Sequence, residues 1–127
     1  VGSTTYEKVL SLTGGTFPPA NQHECYVITR QERQDENGVT FYNKGVGNLI
    51  KELKNQQGKN IYCDGGAMVV KMLMDQGLID EYYISIIPII LGDGKRLFRG
   101  ETPRMQLEAI SSKQYESGLI QVHYKAK

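Results

Sequence analysis

The sequence predicts an α/β domain, and three of its features carry that prediction. Short apolar, β-branched runs alternate with stretches whose apolar residues recur at helical spacing, giving a β-α-β-α-β order between Cys25 and Leu91. The run NIYCDGGAMVVKML, residues 60–73, sets Gly65 and Gly66 where an apolar strand passes into a helix. MQLEAISSKQYESGLIQVHYKAK, residues 105–127, divides into two strands about a Glu-Ser-Gly turn and reads as a closing antiparallel hairpin. The β-α-β order implies a sheet at least partly parallel, with helices against it. With 127 residues and 39% hydrophobic content, the chain suits one domain, residues 1–127, without a linker.

Each element has its own signal. Val1 and Gly2 read as the end of a strand feeding a turn and a helix. That helix is TTYEKVLSL, in which a threonine cap precedes Tyr6, Val9, Leu10 and Leu12, and GGTFPPANQH breaks it. ECYVITRQ packs Cys25, Tyr26, Val27 and Ile28 into a buried type of strand that stops at Arg30. After the polar turn QERQDENG, VTFY predicts another short strand. Val46, Leu49, Ile50 and Leu53 share one helix face, with Asn48 as its cap and Gly58 at its end. GKNIYC predicts a strand, and AMVVKMLMDQG a helix ending near Gly77. EYYISIIPIIL predicts a long apolar strand in which Pro88 marks a bulge, bend or edge. LGDGKRLFRGETPR is then a glycine-rich, basic loop.

Composition narrows the partners. Lysine and arginine total 15 against 14 acids, a formal charge of +1, which points away from nucleic acid and membrane surfaces and towards a small molecule. No apolar run reaches the roughly 18 residues that a membrane span requires. Cys25 and Cys63 lie in apolar, strand-like stretches, and no secretory leader opens the sequence, so reduced core thiols of a cytoplasmic protein are expected. His23, Cys25, Cys63 and His123 lack paired ligand spacing, so no metal site is expected.

A strand ending in Asp64-Gly65-Gly66 just before a helix gathers unpaired N–H groups and the positive end of a helix dipole, which suits a phosphate. Glycine there lets a pyrophosphate reach the backbone or supplies a positive φ. A ligand-free tight β-α turn explains the same two residues. GVGNLI at 45–50 lacks the third glycine of a dinucleotide fingerprint, and GDGKRLF at 92–98 has the wrong spacing for a P-loop.

Four pieces in order resemble the dihydrofolate-reductase-like family, and more closely its branch that includes the C-terminal reductase domain of bacterial riboflavin biosynthesis (RibD). They are VGSTTYE, read as G-x-x-T-[aromatic]-E, CYVITR ending in Thr-Arg, the strand-Gly-Gly-helix unit, and a strand running into Pro88-x-x-Leu91-Gly92-x-Gly94. The resemblance spans nearly the whole chain. It implies a central, mostly parallel sheet and NADPH held at the carboxyl ends of its strands. Gly65, Gly66, Ala67 and Met68 would hold the pyrophosphate from one helix start, and Gly2, Ser3, Thr4 and Thr5 from a second. Thr29 and Arg30 would meet the adenosine 2′-phosphate, which a guanidinium recognises by charge-assisted bonds. Ser3 stands in a turn that is commonly G-R-[KT]-T, so one cationic contact is missing and the expected affinity is lower.

The implied activity is NADPH-dependent reduction of a small heterocycle, similar to 5-amino-6-(5-phosphoribosylamino)uracil reductase. An orphan nucleotide-binding domain and a dihydrofolate reductase are the alternatives. No catalytic residue is assigned: Asp64 reads far more readily as a turn or helix-capping carboxylate than as a catalytic acid, and Ser85 could face the substrate side but reads as well as a core serine. Lys95, Arg96 and Arg99 could meet a substrate phosphate or simply be solvated. The resemblance also implies an N-terminal strand and helix ahead of Val1, so the domain is expected to be N-terminally incomplete, its gap closed by a preceding segment or by strand exchange with another chain. Tyr82, Tyr83 and the isoleucine run to Ile90 read as core or as the surface of a homodimer.

Overall fold

The computed structural model describes residues 1–127. Helices form where the apolar periodicity predicts them: α1 spans Ser3–Thr13, α2 Val46–Lys54 and α3 Ala67–Asp75. Strand β1, Cys25–Ile28, pairs in parallel with β2, Val39–Tyr42, so that Cys25 lies opposite Val39 and Ile28 opposite Tyr42. Strands β3 (Glu81–Ile86), β4 (Leu107–Gln114) and β5 (Ile120–Ala126) form a second sheet of order β3-β5-β4, antiparallel throughout. A bulge interrupts β4 between Ala109 and Ser111.

The α/β fold and its closing hairpin match expectation, but the sheet is divided and only its smaller part is parallel. The division falls at the GKNIYC run. Residues 60–64 join neither sheet, and Ile61 and Tyr62 are 43% and 82% exposed. A strand needs a neighbour to pair with its N–H and C=O groups, and residues 60–64 meet none; the first backbone bond comes just after them, where Gly2 N donates to Gly65 O at 2.9 Å. Val1 and Gly2 extend the parallel sheet instead. Val1 N donates to Tyr26 O at 3.0 Å, Ile28 N to Val1 O at 2.8 Å, and Gly2 bridges to Ile28 in parallel.

Several element ends also differ from the sequence reading. The residue at the start of α1 is Gly2, without a side-chain cap, and Thr4 and Thr5 lie inside the first turn. Asn48 sits inside α2, where its Nδ2 donates to Lys44 O at 2.8 Å, and the helix stops at Asn55 rather than Gly58. Strand β1 ends at Ile28, leaving Thr29 and Arg30 just beyond it, and β3 ends two residues before Pro88, which cannot donate to a ladder.

Two apolar clusters hold the parallel part together. Tyr6, Phe17, Val27 and Val39 fill the space between α1 and the β1–β2 pair, with the Tyr6 ring edge-on to Phe41 at 5.4 Å. Tyr6 Oη donates to Glu36 at 3.2 Å and accepts from Asn37 at 2.8 Å, so its buried hydroxyl is satisfied. Val46, Ile50, Val69 and Leu73 join α2 to α3. Burying each such side chain contributes about 1.5–3 kcal/mol, which fixes the starts of α1 and α3 beside the parallel strands.

Candidate functional site

The start of α1 and the start of α3 meet at one point. Gly2, at the head of α1, donates to Gly65 O, and the Cβ that an alanine would place at Gly2 lies 3.6 Å from Gly66 N. Neither helix has a side-chain cap. Inside the helices the first backbone bonds are Tyr6 N to Gly2 O and Val70 N to Gly66 O. The N–H groups of Ser3, Thr4 and Thr5, and those of Ala67, Met68 and Val69, therefore have no protein acceptor. Two positive dipole ends and two fans of open donors converge where the sequence places its glycines, an arrangement that favours an anion.

The two glycines are required for different reasons. Gly65 is buried with φ +94°, a conformation that L side chains rarely adopt, although a Cβ there would meet no atom within 4 Å. Gly66 has an ordinary φ of −73°, but a Cβ would come within 3.2 Å of Thr5 Oγ1. The peptide bond between them is cis. Gly2 is constrained by packing as well, since its Cβ would lie 3.2 Å from the Val69 side chain. Val69 was not singled out in the sequence; its signal was only its place on the buried face of α3.

Thr29 and Arg30 complete the neighbourhood. Because Gly2 bridges to Ile28, the residues leaving β1 emerge beside the first turn of α1. Arg30 is exposed and takes no part in the chain's salt bridges; Arg33 is the engaged one, 2.8 Å from Glu7 and 2.9 Å from Glu36, with its guanidinium over Phe41 at 4.1 Å. The fold thus brings Gly2, Ser3, Thr4, Thr5, Thr29, Arg30, Gly65, Gly66, Ala67 and Met68 to one edge. The donor chemistry fits a pyrophosphate with a further phosphate near the only unpaired guanidinium of that edge.

Asp64 does not cap α3; its Oδ1 accepts from Tyr62 Oη at 3.4 Å. The Asp64 charge, followed by burial, raises the Tyr62 phenol above its ordinary range. Ser85 is exposed rather than in the core, and its Oγ accepts from Gln121 Nε2 at 3.1 Å. Lys71 was also missed by the sequence reading. Its Nζ donates to Asp75 at 2.8 Å and to Glu101 O at 2.6 Å, tying the end of the basic loop to α3. Lys95, Arg96 and Arg99 are exposed in that loop. A separate open cavity of about 350 Å³, lined by Thr16, Phe17, Ala20, Asn21, Asn37 and Gly38, lies past the opposite end of α1 and shares none of these residues.

Residues 9–121 match the RibD C-terminal domain family. The chain belongs to that family. It is 39% identical over 126 residues to the Bacillus subtilis (strain 168) protein YwjB, covering 98% of this chain and 70% of YwjB. Among solved structures, a Shewanella sp. PV-4 protein named for riboflavin biosynthesis superposes with a TM-score of 0.84 at 25% identity, over 99% of this chain and 71% of that one. A pyrimidine reductase-like protein from Corynebacterium diphtheriae shares the fold at 20% identity, with a TM-score of 0.61 over 80% of this chain and 50% of the other. The RibD-domain chain described here accordingly carries a riboflavin-biosynthesis-reductase-like fold, and none of its helices is long and apolar enough to cross a membrane.

Proposed function

We propose that this RibD-family chain is the cofactor-binding body of a cytoplasmic, NADPH-dependent reductase acting on a small heterocycle, similar to 5-amino-6-(5-phosphoribosylamino)uracil reductase. The observation that carries this reading is the meeting of two uncapped helix starts at Gly2, Gly65 and Gly66. In this reading the open N–H groups of Ser3–Thr5 and Ala67–Val69 bind the pyrophosphate, with the Thr5 hydroxyl beside Gly66 as a further donor. Arg30 binds the 2′-phosphate by charge-assisted hydrogen bonds and so selects the phosphorylated cofactor. When bound, the dinucleotide supplies the hydride; the protein positions it and excludes competing orientations.

Calorimetric titration with NADPH and NADH in parallel tests the proposal. Saturable binding with NADPH favoured by about tenfold or more is the expected result, since one lost charge-assisted contact is worth at least about 1.4 kcal/mol. A folded sample that binds neither nucleotide sinks the proposal and leaves Gly65 and Gly66 as a tight turn in a domain without this ligand.

A further inference from the structure

Neither helix start at the candidate site brings a cation of its own. Gly2–Thr5 and Gly65–Val69 contain no basic residue, and Arg30 stands on the α1 side, where the reductase reading gives it the 2′-phosphate. A pyrophosphate is ionised at both phosphates, and an arginine meets such oxygens with charge-assisted bonds stronger than those of neutral donors.

The basic loop after β3 brings a cation to α3. Lys71 Nζ, held by Asp75 at 2.8 Å, donates to Glu101 O at 2.6 Å, and a Cβ at Gly100 would lie 3.6 Å from Lys71 Cε. Gly100 has φ +68°, so the loop bends against the lysine stem where a side chain would be strained. Farther along, Tyr82 Oη donates to Met105 Sδ at 3.3 Å, close to where β3 follows the end of α3. The chain thus passes the middle of α3 at Glu101 and reaches the level of its end by Met105. Arg99 precedes the Lys71 contact and so stands towards the start of the helix. Lys71 is one turn from Ala67, about 6 Å along the axis, a distance that an arginine side chain spans. Arg99 is exposed and takes no part in the chain's salt bridges.

We propose that Arg99 is the cation of the pyrophosphate site and that Lys71 is its positioning residue. The proposal rests on the reductase reading and adds to it a charge that neither helix start supplies. Because Lys71 holds Gly100 and Glu101 against α3, the Arg99 guanidinium is placed before the nucleotide arrives, and less freedom is lost on binding. Lys95 and Arg96, earlier in the same loop, are exposed.

Calorimetric titration of NADPH and NADH into the parent, Arg99→Ala, Lys71→Met and the double variant tests it, with thermal midpoints read in parallel to show each sample folded. The pyrophosphate is common to both nucleotides, so Arg99→Ala should weaken each by about tenfold and leave their ratio unchanged. Lys71→Met keeps the stem and removes the donor; it should weaken both by about threefold, and weaken neither further once Arg99 is alanine. Lys113→Ala, on β4, removes the same charge elsewhere and should change neither affinity. An Arg99→Ala variant that binds both nucleotides as the parent does overturns the proposal. A loss confined to NADPH overturns it too, by moving Arg99 to the 2′-phosphate. A Lys71→Met loss that persists in the double variant removes the positioning role. A folded parent that binds neither nucleotide overturns the reductase reading and this proposal together, whereas the other outcomes overturn the proposal alone.

Discussion

The body built from α1, α2, α3 and the β1–β2 pair is held together differently from the β3-β5-β4 sheet. Of the eleven apolar residues in the core, ten precede Gly77, and only Tyr82 belongs to the antiparallel sheet. Packing therefore determines the first region. In the second, backbone pairing does most of the work: Glu81–Ile86 face Ile120–Lys125 residue for residue, while Tyr83 stacks on His123 at 4.1 Å and His123 Nε2 lies 2.9 Å from Glu81. β4 and β5 form a hairpin, whose ladder joins neighbours in sequence and needs little burial, and β3 adds to the β5 edge from a distant part of the chain through that backbone ladder. A parallel unit has no such local route, and its strands stay in register only where side chains from distant segments cover them.

That contrast is open to attack, and the largest effect belongs to the buried side. Replacing Tyr6, which has no exposed surface, by alanine should cost about 3–5 kcal/mol, whereas Tyr83→Ala, on the exposed face of β3, should cost less than about 1 kcal/mol. Chemical denaturation of the two variants measures both; equal losses would show that the two regions do not differ as described.

The next effect concerns binding. In Gly66→Val the new side chain presses on Thr5 Oγ1 and fills the space before the open N–H groups. NADPH affinity should fall by at least about a hundredfold, roughly 2.7 kcal/mol, with the thermal midpoint nearly unchanged. Unaltered binding would remove the glycines from the site. Arg30→Ala is predicted to narrow the preference for NADPH over NADH by about tenfold while sparing NADH affinity. Titrations that show equal losses for both nucleotides would deny Arg30 its 2′-phosphate role.

The smallest effect is one of pH, within β1. A hydrogen bond to Glu24, then burial, push the Tyr26 phenol up to about 12. Its neutral form is the one the fold favours, so the associated stability is present below the ordinary tyrosine value of about 10 and is lost as pH rises from there towards 12. Tyr26→Phe should flatten the alkaline part of the stability curve only slightly, because the side chain lies near the surface. Denaturation midpoints measured on both sides of pH 10 check the sign, and a steeper alkaline loss in the variant would contradict it.

The sequence by itself determined the helices, the closing hairpin and the place of the glycine pair, because each rests on local chemistry. Three- and four-residue apolar spacing made α1, α2 and α3 legible. Alternation about Glu116-Ser117-Gly118 made the hairpin legible, and two adjacent glycines marked a point where either backbone angle or close approach excludes a side chain. It also brought the residues of the candidate site into view through four motifs in order, although nothing local said that Gly2 would bond to Gly65 or that Val69 would pack against Gly2.

Only the tertiary structure decided pairing and exposure. IYC has the composition of a buried strand, yet residues 60–64 stand unpaired because hydrogen-bonding partners come from elsewhere in the chain. The isoleucine run after Ile86 has the composition of a core, yet it lies open, since burial depends on what covers a segment rather than on the segment itself. The same reason separates Arg30 from Arg33: both are basic residues of one turn, and only the arrival of Glu7 and Glu36 beside Arg33 leaves Arg30 without an ion-pair partner.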